Sequence, residues 1–244
     1  MTDSIQMPGR TDVVLLSDED NVSKVLVAAV SNLWEAVNEL TRLRRTHKEH
    51  YLVTIFGSAR IEHDSEAYYC VKELAADLTR LGCGIITGGG PGLMQAANEG
   101  AASVDATAVE RSIGIRIDLP FEPNANPFVG KAYQHKTFFS RLHHFMIMSD
   151  AFIVVPGGVG TLLELSMVWQ LLQVRKLYDT PLILIGPMWK ELVSWARKWM
   201  LQDDLELAKP VDLDIPTCVE HNSDAVEIIR LHREKWLKAQ PQMK

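Results

Sequence analysis

The chain has 244 residues, 47% of them hydrophobic and 23% charged, and a formal net charge of −6. That size and balance suit one ordinary globular domain with a full core, and exclude a disordered, fibrous or membrane-spanning class. An acidic balance also argues against a broad nucleic-acid footprint, which needs a basic face, although a small anion needs only a few local donors.

Residues 1–20 are polar and read as a flexible N-terminus, with Ser17, Asp18, Glu19 and Asp20 available as helix caps. A single domain is expected over 21–244. Val22, Leu26, Ala29, Leu33, Val37 and Leu40 recur at helical spacing, predicting an amphipathic helix over about 21–45 that packs on the domain's own sheet or on a second subunit. From there the chain alternates. Strands are predicted at 52–56, 84–87, 112–117, 151–155 and 181–185, with a weak edge near 216–219. Helices are predicted at 65–81, 92–102, 137–148, 160–174, 188–201 and 223–238. This rhythm predicts an α/β fold: a Rossmann-like doubly wound parallel sheet with helices on both faces, its core over about 50–202. In that topology the fourth strand lies beside the first, the reversal opens a crevice at the strand C-termini, and Gly57 and Ser58 meet the segment Pro156–Thr161.

That last segment carries the strongest chemical signal. The apolar run 151–155 reads as a strand buried on both faces, and Pro156-Gly157-Gly158-Val159-Gly160-Thr161-Leu162-Leu163-Glu164 follows it directly. Paired glycines let the backbone approach a ligand, and Thr161 with the free N–H groups of a helix starting near Val159 is expected to face outward as an anion cradle. Glu164 falls one turn further on the same helix face as Thr161. A carboxylate beside an anion site is electrostatically costly, which points to a part in a reaction. Neither Walker A nor GxGxxG spacing is present.

Three other stretches converge on the crevice. The first strand ends in Gly57-Ser58-Ala59-Arg60, and the second in Gly88-Gly89-Gly90-Pro91-Gly92-Leu93-Met94. Arg141, in the helix that feeds the fourth predicted strand, brings a planar guanidinium suited to phosphate or carboxylate. Glu122 and Asn124, after the third strand, are weaker candidates for contacts to a base or ribose. Cys70, Cys83 and Cys218 lack CxxC spacing and are expected to be core thiols of a reducing compartment. His143 and His144 are adjacent and point to different sides of a helix, so a metal site is not expected. Met1–Arg10 has no apolar targeting core and no run nears the roughly 20 apolar residues of a membrane span, so a cytoplasmic protein is expected.

The combination of Gly88-Gly89-Gly90-Pro91-Gly92-Leu93-Met94, Arg141, Ser149-Asp150-Ala151 and the 156–164 element resembles the LOG ("Lonely guy") family, many of whose members were labelled possible lysine decarboxylases. The likeness covers about residues 50–202. It implies a phosphoribohydrolase that splits a nucleoside 5′-monophosphate, AMP or a cytokinin ribotide, into free base and ribose 5-phosphate, working as a homodimer or higher oligomer without cofactor. The family's catalytic Arg and Glu fall on Arg141 and Glu164, and its phosphate loop on Gly157, Gly158, Val159, Gly160 and Thr161. Leu142 and Leu163 stand where relatives often carry Lys and Glu, which leaves the substrate open. A non-catalytic nucleotide or molybdenum-cofactor carrier is the alternative. A decarboxylase would need a lysine for pyridoxal phosphate, and neither Lys131 nor Lys136 has a recognisable context for it.

Overall fold

The computed structural model describes residues 22–31, 49–104, 107–118, 124–202 and 205–239. It divides into two compact units, Met1–Thr46 and His47–Lys244. Of the first, residues 22–31 form helix α1; the predicted flexible segment 1–20 and the rest of the predicted N-terminal helix lie outside the described residues.

The second unit carries the sheet. In chain order its elements are β1 (Tyr51–Phe56), α2 (Glu66–Arg80), β2 (Cys83–Thr87), α3 (Leu93–Ala102), β3 (Ser112–Ile117), β4 (Lys131–His135), α4 (Phe138–Met148), β5 (Ala151–Val154), α5 (Val159–Gln173), β6 (Leu182–Ile185), α6 (Pro187–Met200), the short pair β7 (Leu201–Gln202) and β8 (Leu205–Glu206), α7 (Pro210–Leu213), β9 (Thr217–Val219) and α8 (Asn222–Ala239). Seven strands form one sheet in the order β4-β3-β2-β1-β5-β6-β9. Every pairing in it is parallel. The strand order reverses between β1 and β5, which pair from Val53↔Ala151 to Phe56↔Val154, so the crevice of a doubly wound sheet opens at their C-terminal ends.

The central strands are buried on both faces because helices cover both. On one side Tyr51, Val53, Ile55, Ile85 and Ile153 pack against α2, α3 and α8 through Leu74, Leu78, Ala97 and Ile229. On the other, Phe56, Ile86, Ile115, Phe152 and Val154 meet Phe145, Leu165, Val168 and Trp189 of α4, α5 and α6. Burial of this much apolar surface at about 25 cal/mol per Å² is the main source of stability. Helix starts are set by side chains: Ser65 accepts from Tyr68 N, and Thr137 from Ser140 N. At the opposite end of the sheet, Tyr51 Oη meets His232 Nδ1 at 2.6 Å and Trp236 packs edge-on against the same ring, pinning α8 to the first strand.

Two expectations are corrected. The sheet has a strand beyond the six read from sequence, β4, whose Lys-Ala-Tyr-Gln-His residues are mostly exposed; an edge strand with one flank in solvent carries no apolar run to announce it. The cysteines are not all core thiols: Cys83 is buried, Cys218 half-buried and Cys70 exposed. Among the described residues no helix is long and apolar enough to cross a membrane.

Candidate functional site

Three loops meet at the switch point. Ser58 N donates to Pro156 O (3.1 Å) and Leu93 N to Ser58 O (2.8 Å), so the loops after β1, β2 and β5 are tied through one residue. Ser58 Oγ accepts from Arg60 N within its own turn, and the Arg60 side chain is exposed. The glycines differ in what they do. A Cβ on Gly57 would come 2.6 Å from Val155 Cγ2, one on Gly88 2.5 Å from Arg141 Nη2, and one on Gly92, at φ +67°, would collide with the backbone of Ser58 and Ala59. Gly92 is required by the backbone it faces and Gly57 by the Val155 and Leu93 side chains, while Gly88 leaves the ends of Arg141 and Met94 in place. Gly89 sits at φ +70° over the stem of Arg116, a conformation that L side chains rarely adopt.

Gly158 and Gly160 are different. Around either Cβ position there is nothing within 4 Å, and Gly158 has φ −96°, which any residue adopts. No side chain caps α5 and no acidic residue lies in its first turn, so its N-terminal N–H groups are left for an anion. The absence of side chains here keeps ligand space open. Gly158→Val is therefore expected to fold, with a small loss of melting temperature from the poorer N-cap, while weakening inorganic phosphate binding at this helix terminus by about tenfold or more through steric crowding; a variant that melts early with undisturbed affinity would give the glycine a structural role instead.

Thr161 corrects the expectation of an outward hydroxyl. It is 5% exposed, and a Cβ on Gly157 would collide with its side chain, so Thr161 supports the turn from beneath.

Glu164, on the same face of α5, is 8% exposed. Arg141 reaches it from α4, Nη1 to Oε1 at 3.0 Å, with both side chains 11% exposed. The guanidinium is held independently of its partner: Nε donates to Ile115 O (2.9 Å), and Cζ lies 5.1 Å from the ring centre of Phe145. Burial pushes the Glu164 carboxyl above its ordinary range, and the charge and hydrogen bond of Arg141 pull it partly back. A desolvated carboxylate with one fixed cation, beside an anion-ready helix terminus, can serve as a base or stabilise a developing positive charge. Leu142 is buried in the core and Leu163 is exposed on α5.

Sequence reasoning missed the polar ring behind the second glycine loop. Asn98, fully buried in α3, bonds Thr87, Ser112 and Asn126, and Asn126 bonds both Asn98 and Gly90 O. A single Asn within an Ala-rich helix was the one available signal. Also missed was His135, at the end of β4, which meets Ser140 Oγ at 3.0 Å and His144 Nδ1 at 2.9 Å; burial first, then nearby Arg141, lowers its pKa. Asn124 is exposed, and Glu122 lies outside the described residues. Among the described residues no three His, Cys, Asp or Glu side chains converge as a metal site.

A family model described as possible lysine decarboxylase matches residues 94–229, more than half of the chain and including both Arg141 and Glu164. A comparison with curated proteins gives no match. Among solved structures, the molybdenum cofactor binding protein of the phototrophic bacterium Rippkaea orientalis superposes with a TM-score of 0.55 at 17% identity, covering 76% of this chain and 98% of that one. The molybdenum cofactor carrier protein of Chlamydomonas reinhardtii gives 0.56 at 16% identity, covering 76% and 99%. At these identities the likeness is one of fold.

Proposed function

The chain belongs to the possible lysine decarboxylase family, the LOG family of the sequence resemblance, and from that premise we propose a hydrolase that cleaves the N-glycosidic bond of nucleoside 5′-monophosphates. The observation that carries this reading is the buried Arg141–Glu164 pair at 3.0 Å, beside the uncapped N-terminus of α5. The 5′-phosphate sits on the N–H groups of the first turn of α5, with Gly158 and Gly160 leaving it room. As the bond from C1′ to the base breaks, the base leaves with the electron pair and takes up a proton, and the ribose gains oxocarbenium character. Glu164 stabilises that charge and orients the attacking water, whose oxygen bonds C1′ and whose proton it accepts. Arg141 holds Glu164 in place and offsets the charge it adds. Gly57, Ser58 and Gly88–Gly90 form the rest of the cradle.

The family description would also cover a decarboxylase, but the cation beside Glu164 is an arginine, unable to form a Schiff base with pyridoxal phosphate; Lys131 and Lys136 are exposed. A carrier is the second reading, favoured by the molybdenum cofactor proteins that share the fold. A carrier gains little from a desolvated carboxylate beside an anion site. The protein is proposed to work as a homo-oligomer: Phe138 and Phe139 of α4 and Leu162 and Leu163 of α5 are exposed next to the two catalytic candidates, an apolar surface suited to a second copy.

Incubation with a panel of nucleoside monophosphates, AMP first, followed by chromatography, should give free base and ribose 5-phosphate in equal amounts. Tight binding with no base released across the panel would replace the enzyme with the carrier.

A further inference from the structure

Two successive carbonyls of the second glycine loop, those of Gly89 and Gly90, are turned towards Asn126. Asn126 N donates to Gly89 O (2.9 Å) and Asn126 Nδ2 to Gly90 O (3.0 Å). The Gly89–Gly90 peptide is trans, so in this planar unit the N–H opposes the carbonyl and points away from Asn126. An anion or hydroxyl oxygen approaching that side meets a donor, where an untethered loop would turn a repelling carbonyl towards it about as readily.

What holds Asn126 is Asn98. Asn126 Nδ2 also donates to Asn98 Oδ1 (3.0 Å), which accepts Thr87 Oγ1 as well (2.6 Å), while Thr87 Oγ1 accepts Gly89 N (2.9 Å). The ring closes on the other side: Asn98 Nδ2 donates to Ser112 Oγ (2.9 Å), Ser112 Oγ to Phe128 O (2.8 Å), and Phe128 N to Asn126 Oδ1 (3.2 Å). Each donor meets an acceptor only with both amides in this orientation; turning either one sets donor against donor in a buried site. Asn98, Thr87 and Ser112 are fully buried and Asn126 is 8% exposed, so water does not compete for these bonds.

We propose that Asn98 and Asn126 are positioning residues for the ligand, locking the Gly88–Gly90 loop with the Gly90 N–H presented to an oxygen of the bound nucleotide before it arrives. This rests on the nucleotide reading of the site. The residues act through the loop, and their loss weakens binding more than turnover.

The test uses Asn126→Ala, Asn98→Ala and the double variant, with AMP affinity measured by calorimetry in a Glu164→Gln host and kinetics measured in the active protein. Losing the two side-chain bonds of Asn126 to the loop and to Asn98 should weaken AMP binding about tenfold, raise KM by a similar factor and leave kcat within about threefold. The double variant should be no weaker than the worse single one, because the two amides act as one unit. If Asn98→Ala does not fold, Asn126→Ala decides alone. Unchanged affinity and KM in folded Asn126→Ala overturn the positioning role and leave the nucleotide reading standing. If the host itself does not bind AMP, the nucleotide reading falls instead; amide exchange at Gly90 then decides the locking, faster exchange in Asn126→Ala supporting it and equal exchange overturning it.

Discussion

Glu164→Gln should release free base from AMP about a thousandfold more slowly than the unaltered protein, within the range associated with loss of a general base, while binding AMP at least as tightly. Gln keeps the length and the oxygen that accepts from Arg141 Nη1, so the geometry of α4 and α5 survives. What disappears is the charge. Arg141 then keeps a buried charge with only a neutral partner, so the melting temperature should fall, while the 5′-phosphate loses a repelling neighbour. A thousandfold rate loss with AMP affinity retained separates chemistry from folding, because a purely structural carboxylate would lower stability and leave the rate of the folded protein unchanged. Full activity in Glu164→Gln would remove this residue from the reaction.

The same carboxyl predicts the acidic limb of the pH-rate profile. Its pKa is raised, with burial outweighing Arg141, so the ionised form needed to take up a proton appears only above the usual glutamate range. Base release should therefore rise with pH through a limb displaced upward from about 4.3. In Glu164→Gln that limb should vanish.

Most of the scaffold was legible in the residues because local signals agreed with the global fold. The helices read from 65 and 137 start there, with Ser65 and Thr137 as their caps, and the apolar runs of β1, β2, β3 and β5 are buried on both faces as their composition requires. β4 was not legible, since its Lys131 and Gln134 face solvent at the sheet edge. The glycine loops were legible as loops, but not their division of labour: that Gly57 and Gly88 avoid collisions while Gly158 and Gly160 keep space open depends on neighbours far along the chain. Thr161 was misdirected because the turn at Gly157 folds back over it. The pairing of Arg141 with Glu164, across a strand and two turns, came from family likeness; spacing alone supplies no such contact. Asn98 and Asn126 lie in an Ala-rich helix and a loop without periodic pattern, and only the fold brings them together.

Arg141→Met tests the other half of the pair and should cost both activity and stability. Met fills a similar volume over Phe145 but leaves Glu164 without its cation and Ile115 O without its donor. Breaking a buried pair from one side typically costs about 3–5 kcal/mol, because the remaining charge stays desolvated. Both influences of Arg141 lower the Glu164 pKa, so their loss must raise it further. The sign of the pH dependence follows. With the folded pKa above the unfolded one, the folded state binds more protons between the two values, and stability falls as pH rises through that window. Arg141→Met should therefore melt closer to the unaltered protein at pH 5 than at pH 8, and its rate limb should move to higher pH, with base release at pH 7 reduced about a hundredfold or more. Adding Glu164→Gln should recover much of the lost stability, since it removes the stranded charge, while activity stays absent. Equal destabilisation at both pH values, with no recovery in the double variant, would mean that Arg141 holds α4 through Ile115 and Phe145 alone and that its ion pair with Glu164 is incidental.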